Sequence, residues 1–178
     1  EAKAKPVVLV VVAGSSVDLS AYKSSEAVRA ILWAGVPGQH GGRAVADTIF
    51  GASNPAGRLA MTIYPDSFRE QCSFLSMRFR PSADCTPGRG HRFYTGIPVY
   101  GFGHGLSFTT FRRSLESSAE ETVQALWLAE RAGNHRTRHE VALRVVVVVA
   151  NTGKVHHGAE VVLAFARSPG AGDDQSVP

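Results

Sequence analysis

At 178 residues, 44% hydrophobic and 19% charged, the chain is long enough for one domain or parts of two and has the make-up of a protein that buries a core. No apolar run approaches the roughly 20 residues that cross a bilayer, so no membrane partner is expected. The net charge of +4 comes partly from Arg78/Arg80, Arg89/Arg92, Arg112/Arg113 and the stretch Arg131 to His139. These cations are scattered through loop-like sequence, without the helix-face stripe or aromatic interleaving of a nucleic-acid surface, so no nucleic-acid partner is expected either.

Near the start, Pro6-Val-Val-Leu-Val-Val-Val-Ala13 is continuously apolar and β-branched. That pattern predicts a strand buried on both faces of a parallel sheet. Its eight-residue core is too short for a membrane span, and the sequence lacks the small-residue cleavage site of a signal peptide. Because the chain begins at Glu1 rather than Met, a fragment or processed product is expected.

A short helical pattern follows over Ser24 to Arg29, then a second buried strand, Ala30 to Ala34, closed by Gly35. Gly35-Val-Pro-Gly-Gln-His-Gly-Gly42 is a glycine-rich loop, and Arg43 to Phe50 reads as a helix stopped by Gly51. Strand, loop and helix in that order predict an α/β layer. Asn54-Pro-Ala-Gly57 is turn chemistry, with a further strand expected over Arg58 to Tyr64.

From Asp66 to Gly105 regular periodicity vanishes. A segment that long is expected to be mostly irregular and either functional or wrapped on a partner domain. It holds the only two cysteines, Cys72 and Cys85, thirteen apart. Two readings stand: a small disulfide-closed loop, or two unpaired thiols. Leu106 to Leu115 resumes an extended pattern, and Glu116 to His139 is polar and alanine-rich, as a linker or insertion would be. Val141 to Ala150 is then β-branched and ends at Asn151-Thr-Gly153, with another strand expected over Glu160 to Ala166. The shift from α/β to β composition divides the chain into 1–115, 116–139 and 140–178. About two strands in the last part fall short of the roughly seven of a β-sandwich, so that part reads as truncated.

The chemical motifs are sparse. Gly101-Phe-Gly-His-Gly105 has dinucleotide-type glycine spacing but precedes a β-type segment, not a helix. The loop Gly35 to Gly42 sits between strand and helix but lacks the Lys-Ser/Thr ending of a phosphate loop. No cofactor is expected. The seven histidines show no zinc spacing, and two cysteines cannot make a structural zinc site, so no metal is expected. No Gly-x-Ser-x-Gly elbow is present, which removes support for a serine hydrolase. Gln39, His40 and Gly41 are the candidate substrate-binding residues, because their loop follows a strand's carboxyl end, where α/β sheets place ligands. The plainer reading of the same glycines is a tight turn that lets helix and sheet pack closely. Asp18, Asp47, Asp66 and Asp84 include no recognisable catalytic pair, so no catalytic residue is assigned.

Taken together, Ala30-Ile-Leu-Trp-Ala-Gly-Val-Pro-Gly-Gln-His-Gly-Gly-Arg-Ala-Val-Ala-Asp47, Asn54-Pro-Ala-Gly-Arg-Leu59, Pro87-Gly-Arg89, Arg92-Phe-Tyr94 and Phe102-Gly-His-Gly-Leu-Ser107 resemble glycoside hydrolase family 3, in its plant-type β-xylosidase/α-arabinofuranosidase branch. Val149-Ala-Asn-Thr-Gly153 with Gly158-Ala-Glu-Val-Val162 looks like the start of that family's fibronectin type III-like domain. The chain departs from the branch at Ala60, Ile63, Gly90-His91 and Gly101.

The resemblance implies the fold class: α/β, a partial α/β sandwich layer followed by a truncated all-β, fibronectin type III-like segment. It also implies a fragment of a secreted, retaining exo-β-glycosidase, a β-xylosidase of xylan or xylo-oligosaccharide breakdown. Its expected partners are a missing amino-terminal barrel of the same enzyme and an oligosaccharide or glycoside substrate. Retaining hydrolysis needs two carboxyl groups about 5–5.5 Å apart. By resemblance both precede Glu1, so Glu26 is not assigned a role and the chain alone is expected to be inactive. The rival expectations are a non-catalytic sugar-binding or interaction module, or an inactive remnant.

Overall fold

The computed structural model describes residues 5–116 and 145–165. It divides into two compact units, Glu1–Ser107 and Phe108–Pro178. The expected linker 116–139 lies outside the described residues apart from Glu116, as do 141–144 of the expected strand at Val141.

In the first unit, strand β1 (Val7–Val12) pairs in parallel with strand β2 (Val28–Gly35), with irregularities in register at both ends of β1. The expected parallel neighbours are therefore found. Between them the helical turn α1 (Ser20–Lys23) replaces the helix expected over Ser24 to Arg29. The cause is local: the Asp18 carboxylate accepts from the Ser20 amide at 2.9 Å and hydroxyl at 2.6 Å, so the turn starts early. Val28 and Arg29 are then free to join β2. Helix α2 (Gly41–Ile49) follows, two residues earlier than expected at its start.

Two expectations fail in this unit. Arg58 to Tyr64 forms no strand; its alternating side chains are present, but its backbone pairs at separate points, Leu59 with Gly103 and His104 and Ile63 with Val99 and Tyr100. The two strands are not buried on both faces within this chain either, Val12 being 63% exposed. The core sits instead on Leu19, Ile63 and Val99, with Leu9, Val11, Ile31, Trp33, Leu59, Met61 and Tyr100 packed around them. The segment 66–105 is irregular as expected, apart from two single turns, α3 (Phe68–Gln71) and α4 (Gly90–Phe93). Cys72 and Cys85 are joined by a disulfide, with their Cα atoms 3.9 Å apart.

In the second unit, strand β3 (Phe111–Leu115) pairs antiparallel with strand β4 (Val147–Asn151), from Phe111 opposite Asn151 to Leu115 opposite Val147. The sheet is separate from that of β1 and β2. The expected hairpin partner was Glu160 to Ala166, yet 160–165 form no strand. The reason lies in Asn151, whose side chain bends the chain away after β4. Its Oδ1 accepts from Thr109 Oγ1 at 2.7 Å and the Gly153 amide at 2.9 Å, while Nδ2 donates to the His156 carbonyl at 3.0 Å. Glu160 keeps its buried carboxylate paired with Arg113 of β3.

Candidate functional site

The two parallel strands release their loops at the same edge of the sheet, where ligand crevices form in α/β folds. After β2 the chain reverses at Gly35, whose φ of +63° favours glycine. The Gly41 amide then donates to the Gly38 carbonyl at 2.9 Å, closing the turn. Gly41 is buried, and a Cβ placed on it would lie 2.4 Å from Pro37 Cβ. Only glycine lets the first turn of α2 approach the loop so closely.

Gln39 and His40 are exposed at the outer end of this turn, with Gln39 Nε2 and His40 Nε2 3.2 Å apart. Of the three predicted site residues, then, two present side chains to solvent beyond the strand end. The third shapes the backbone that presents them.

The loop after β1 touches this turn, since a Cβ on Gly14 would meet Val36 Cγ2 at 3.4 Å. Two residues further on, Ser16 Oγ accepts from the Tyr64 amide at 3.1 Å. Tyr64 stacks on Phe68 at 4.0 Å and meets Tyr94 edge-on at 4.9 Å, while its hydroxyl accepts from the Gly90 amide at 2.6 Å. Burial, then the neighbouring Tyr64, raises the Tyr94 phenol above its usual range and keeps it protonated. Ser16, Tyr64, Gly90 and Tyr94 thus tie the strand-end loop to the irregular segment. No spacing in the sequence signals this, because the ties cross tens of residues.

Asp18 is not suited to proton donation. Hydrogen bonds from the Ser20 side chain and backbone hold Asp18 below the ordinary carboxylate value. It is an anion at neutral pH, the wrong state for a general acid. Nearby, Lys23 Nζ donates to the Val99 carbonyl at 2.6 Å and lies over the Tyr100 ring. His104 packs on the same tyrosine, with 4.8 Å between ring centres. Desolvation, then the charges of Lys23 and Arg58, lowers the His104 pKa and favours its neutral form. The site offers hydrogen-bonding and aromatic surfaces.

Residues 1–108 match the family model described as Glycosyl hydrolase family 3 C-terminal domain. An Arabidopsis thaliana protein named Beta-D-xylosidase 1 is 47% identical over 95% of the chain, which spans 23% of that relative. An Emericella nidulans exo-1,4-beta-xylosidase is 39% identical over 84% of the chain, which spans 19% of it. Among solved structures, a family 3 exo-beta-xylosidase in complex with a xylobiose aziridine probe superposes with a TM-score of 0.68 at 36% identity. That match covers 84% of this chain and 20% of the other. Beta-glucosidase 3B from Thermotoga neapolitana gives a TM-score of 0.51 at 30% identity, over 65% of this chain and 17% of that one. The chain therefore spans about a fifth of the length of the curated relatives it matches.

Proposed function

The chain belongs to glycosyl hydrolase family 3, and from that premise we propose that it is the carboxy-terminal part of a secreted, retaining exo-β-xylosidase that removes xylose from xylo-oligosaccharides. The observation that carries this reading is the identity of 39–47% to proteins named as xylosidases, over most of the chain. In this reading the catalytic carboxylates lie in the preceding sequence. The α/β unit forms one wall of the substrate cleft. Gln39 and His40 face that cleft from the end of β2, and Gly41 fixes their turn. The second unit is the start of a fibronectin type III-like domain. The Cys72–Cys85 bridge supports an oxidising, extracellular setting.

The test is hydrolysis of xylobiose by the full-length protein, with the anomeric configuration of the released xylose followed by NMR. Release of xylose with retained configuration, faster than release of glucose from cellobiose, is expected. An inert full-length protein, or one preferring cellobiose, contradicts the assignment. In addition, Gln39→Ala and His40→Ala in that protein are expected to raise KM more than they lower kcat.

A further inference from the structure

Outside its core, the first unit carries a pair of stacked rings. His91 and Phe102 lie face to face, their ring centres 4.2 Å apart and their planes 19° from parallel. Neither belongs to the core built around Leu19, Ile63 and Val99. His91 is exposed and Phe102 half-buried, so the imidazole forms the outer layer of the stack.

Both rings stand on turns fixed by backbone bonds. Under His91, the Gly90 amide donates to the Tyr64 hydroxyl at 2.6 Å and the Gly90 carbonyl accepts from the Tyr94 amide at 3.1 Å. Around Phe102, the Gly103 amide donates to the Leu59 carbonyl at 2.7 Å and the His104 amide to the Gly101 carbonyl at 3.1 Å. An ordinary exposed side chain loses rotamer freedom when a ligand orders it, whereas this ring is already held. The stack is also tied to the strand ends. Gly90, next to His91, is bonded to Tyr64, whose own amide donates to Ser16 in the loop after β1.

We propose that the His91–Phe102 stack is a sugar platform, holding a xylose unit beyond the two that flank the scissile bond. The proposal rests on the xylosidase reading above and makes His91 a specificity-determining residue for longer xylo-oligosaccharides. A xylopyranose with equatorial hydroxyls presents two apolar faces of C–H bonds, with no hydroxymethyl arm to obstruct either. A flat ring matches such a face, and the imidazole nitrogens, at the ring edge, hydrogen-bond the hydroxyls around it. Small-molecule sites combine aromatic surface with a few polar groups in this way.

The experiment compares kcat/KM for xylotetraose and xylobiose in the full-length protein and in His91→Gln and His91→Tyr. The parent is expected to prefer xylotetraose. His91→Gln, which removes the ring, should lower that preference about tenfold through KM, the order of one aromatic contact. His91→Tyr, which restores a ring, should keep it. A merely structural role would move both substrates alike, so equal changes, or none, overturn the platform. If His91→Gln fails to fold, loss of the preference in folded His91→Tyr overturns it as well. A parent that hydrolyses neither sugar contradicts the enzymatic reading, and calorimetric binding of xylotetraose then decides the platform. Binding about tenfold weaker in His91→Gln upholds it, and equal binding overturns it.

Discussion

Within the first unit, the regular elements and the irregular segment divide the labour in an unexpected way. The strands Val7–Val12 and Val28–Gly35 carry the most apolar sequence, yet none of their residues is fully buried. Ile63, Val99, Cys72 and Cys85, which belong to no named strand or helix, are among the most buried residues of the chain. The strands are ordered by a repeating ladder, whereas the irregular segment is ordered by individual bonds. Loss of one link should therefore be costly in the second region and mild in the first.

The largest effect is expected at Ile63, whose side chain is fully buried at the centre of the core. Ile63→Ala should lower the unfolding free energy read from chemical denaturation by about 4 kcal/mol. Val12→Ala, on an exposed strand position, should cost less than about 1 kcal/mol. Similar losses at both sites would break the comparison.

Next comes the disulfide. Closing a loop of this length stabilises a fold by about 3 kcal/mol. The Cys72→Ser/Cys85→Ser variant should lose that amount, with protease cleavage appearing between Gln71 and Thr86. A variant as stable and as protease-resistant as the parent would mean that the hydrogen bonds alone hold the loop.

A smaller effect is expected at the turn between β2 and α2. Gly41→Ala places a methyl group against the Pro37 ring. The clash should outweigh the helix-forming gain of alanine and cost about 1–3 kcal/mol. Amide exchange should rise at the start of Gly41–Ile49 and not across Val7–Val12.

The smallest is a pH effect at His104. Its folded pKa is depressed, so the unfolded chain binds the proton more readily. Stability from this group is complete above the unfolded value of about 6.5 and is lost as pH falls through the depressed folded value. His104→Gln should flatten that part of the stability profile. An unchanged profile would contradict the depression of the His104 pKa by burial and the neighbouring cations.

How much of this was legible in the sequence follows the same division. The two parallel strands and the helix after the glycine loop were readable because a repeating apolar pattern specifies them. The helical turn was misplaced because one carboxylate, Asp18, holds the Ser20 amide and hydroxyl at its start, outside any period. Arg58 to Tyr64 has a strand's pattern but lacks a partner strand, which composition cannot reveal. Phe111–Leu115 was read as extended, but its pairing with Val147–Asn151 spans a long stretch of chain. Of the candidate site, only the position of its loop was legible. The glycine loop announced Gln39 and His40, whereas the tie from Ser16 through Tyr64 to Gly90 depends on contacts that only the fold creates.

The central claim is that this chain supplies structure and one wall of a cleft while the reacting carboxylates lie elsewhere in the enzyme. It is tested most directly by incubating the purified 178-residue chain with an aryl β-xyloside beside a heat-treated control. No release above the control is predicted. Sustained turnover abolished by heating would place a complete catalytic site within these residues and contradict the account.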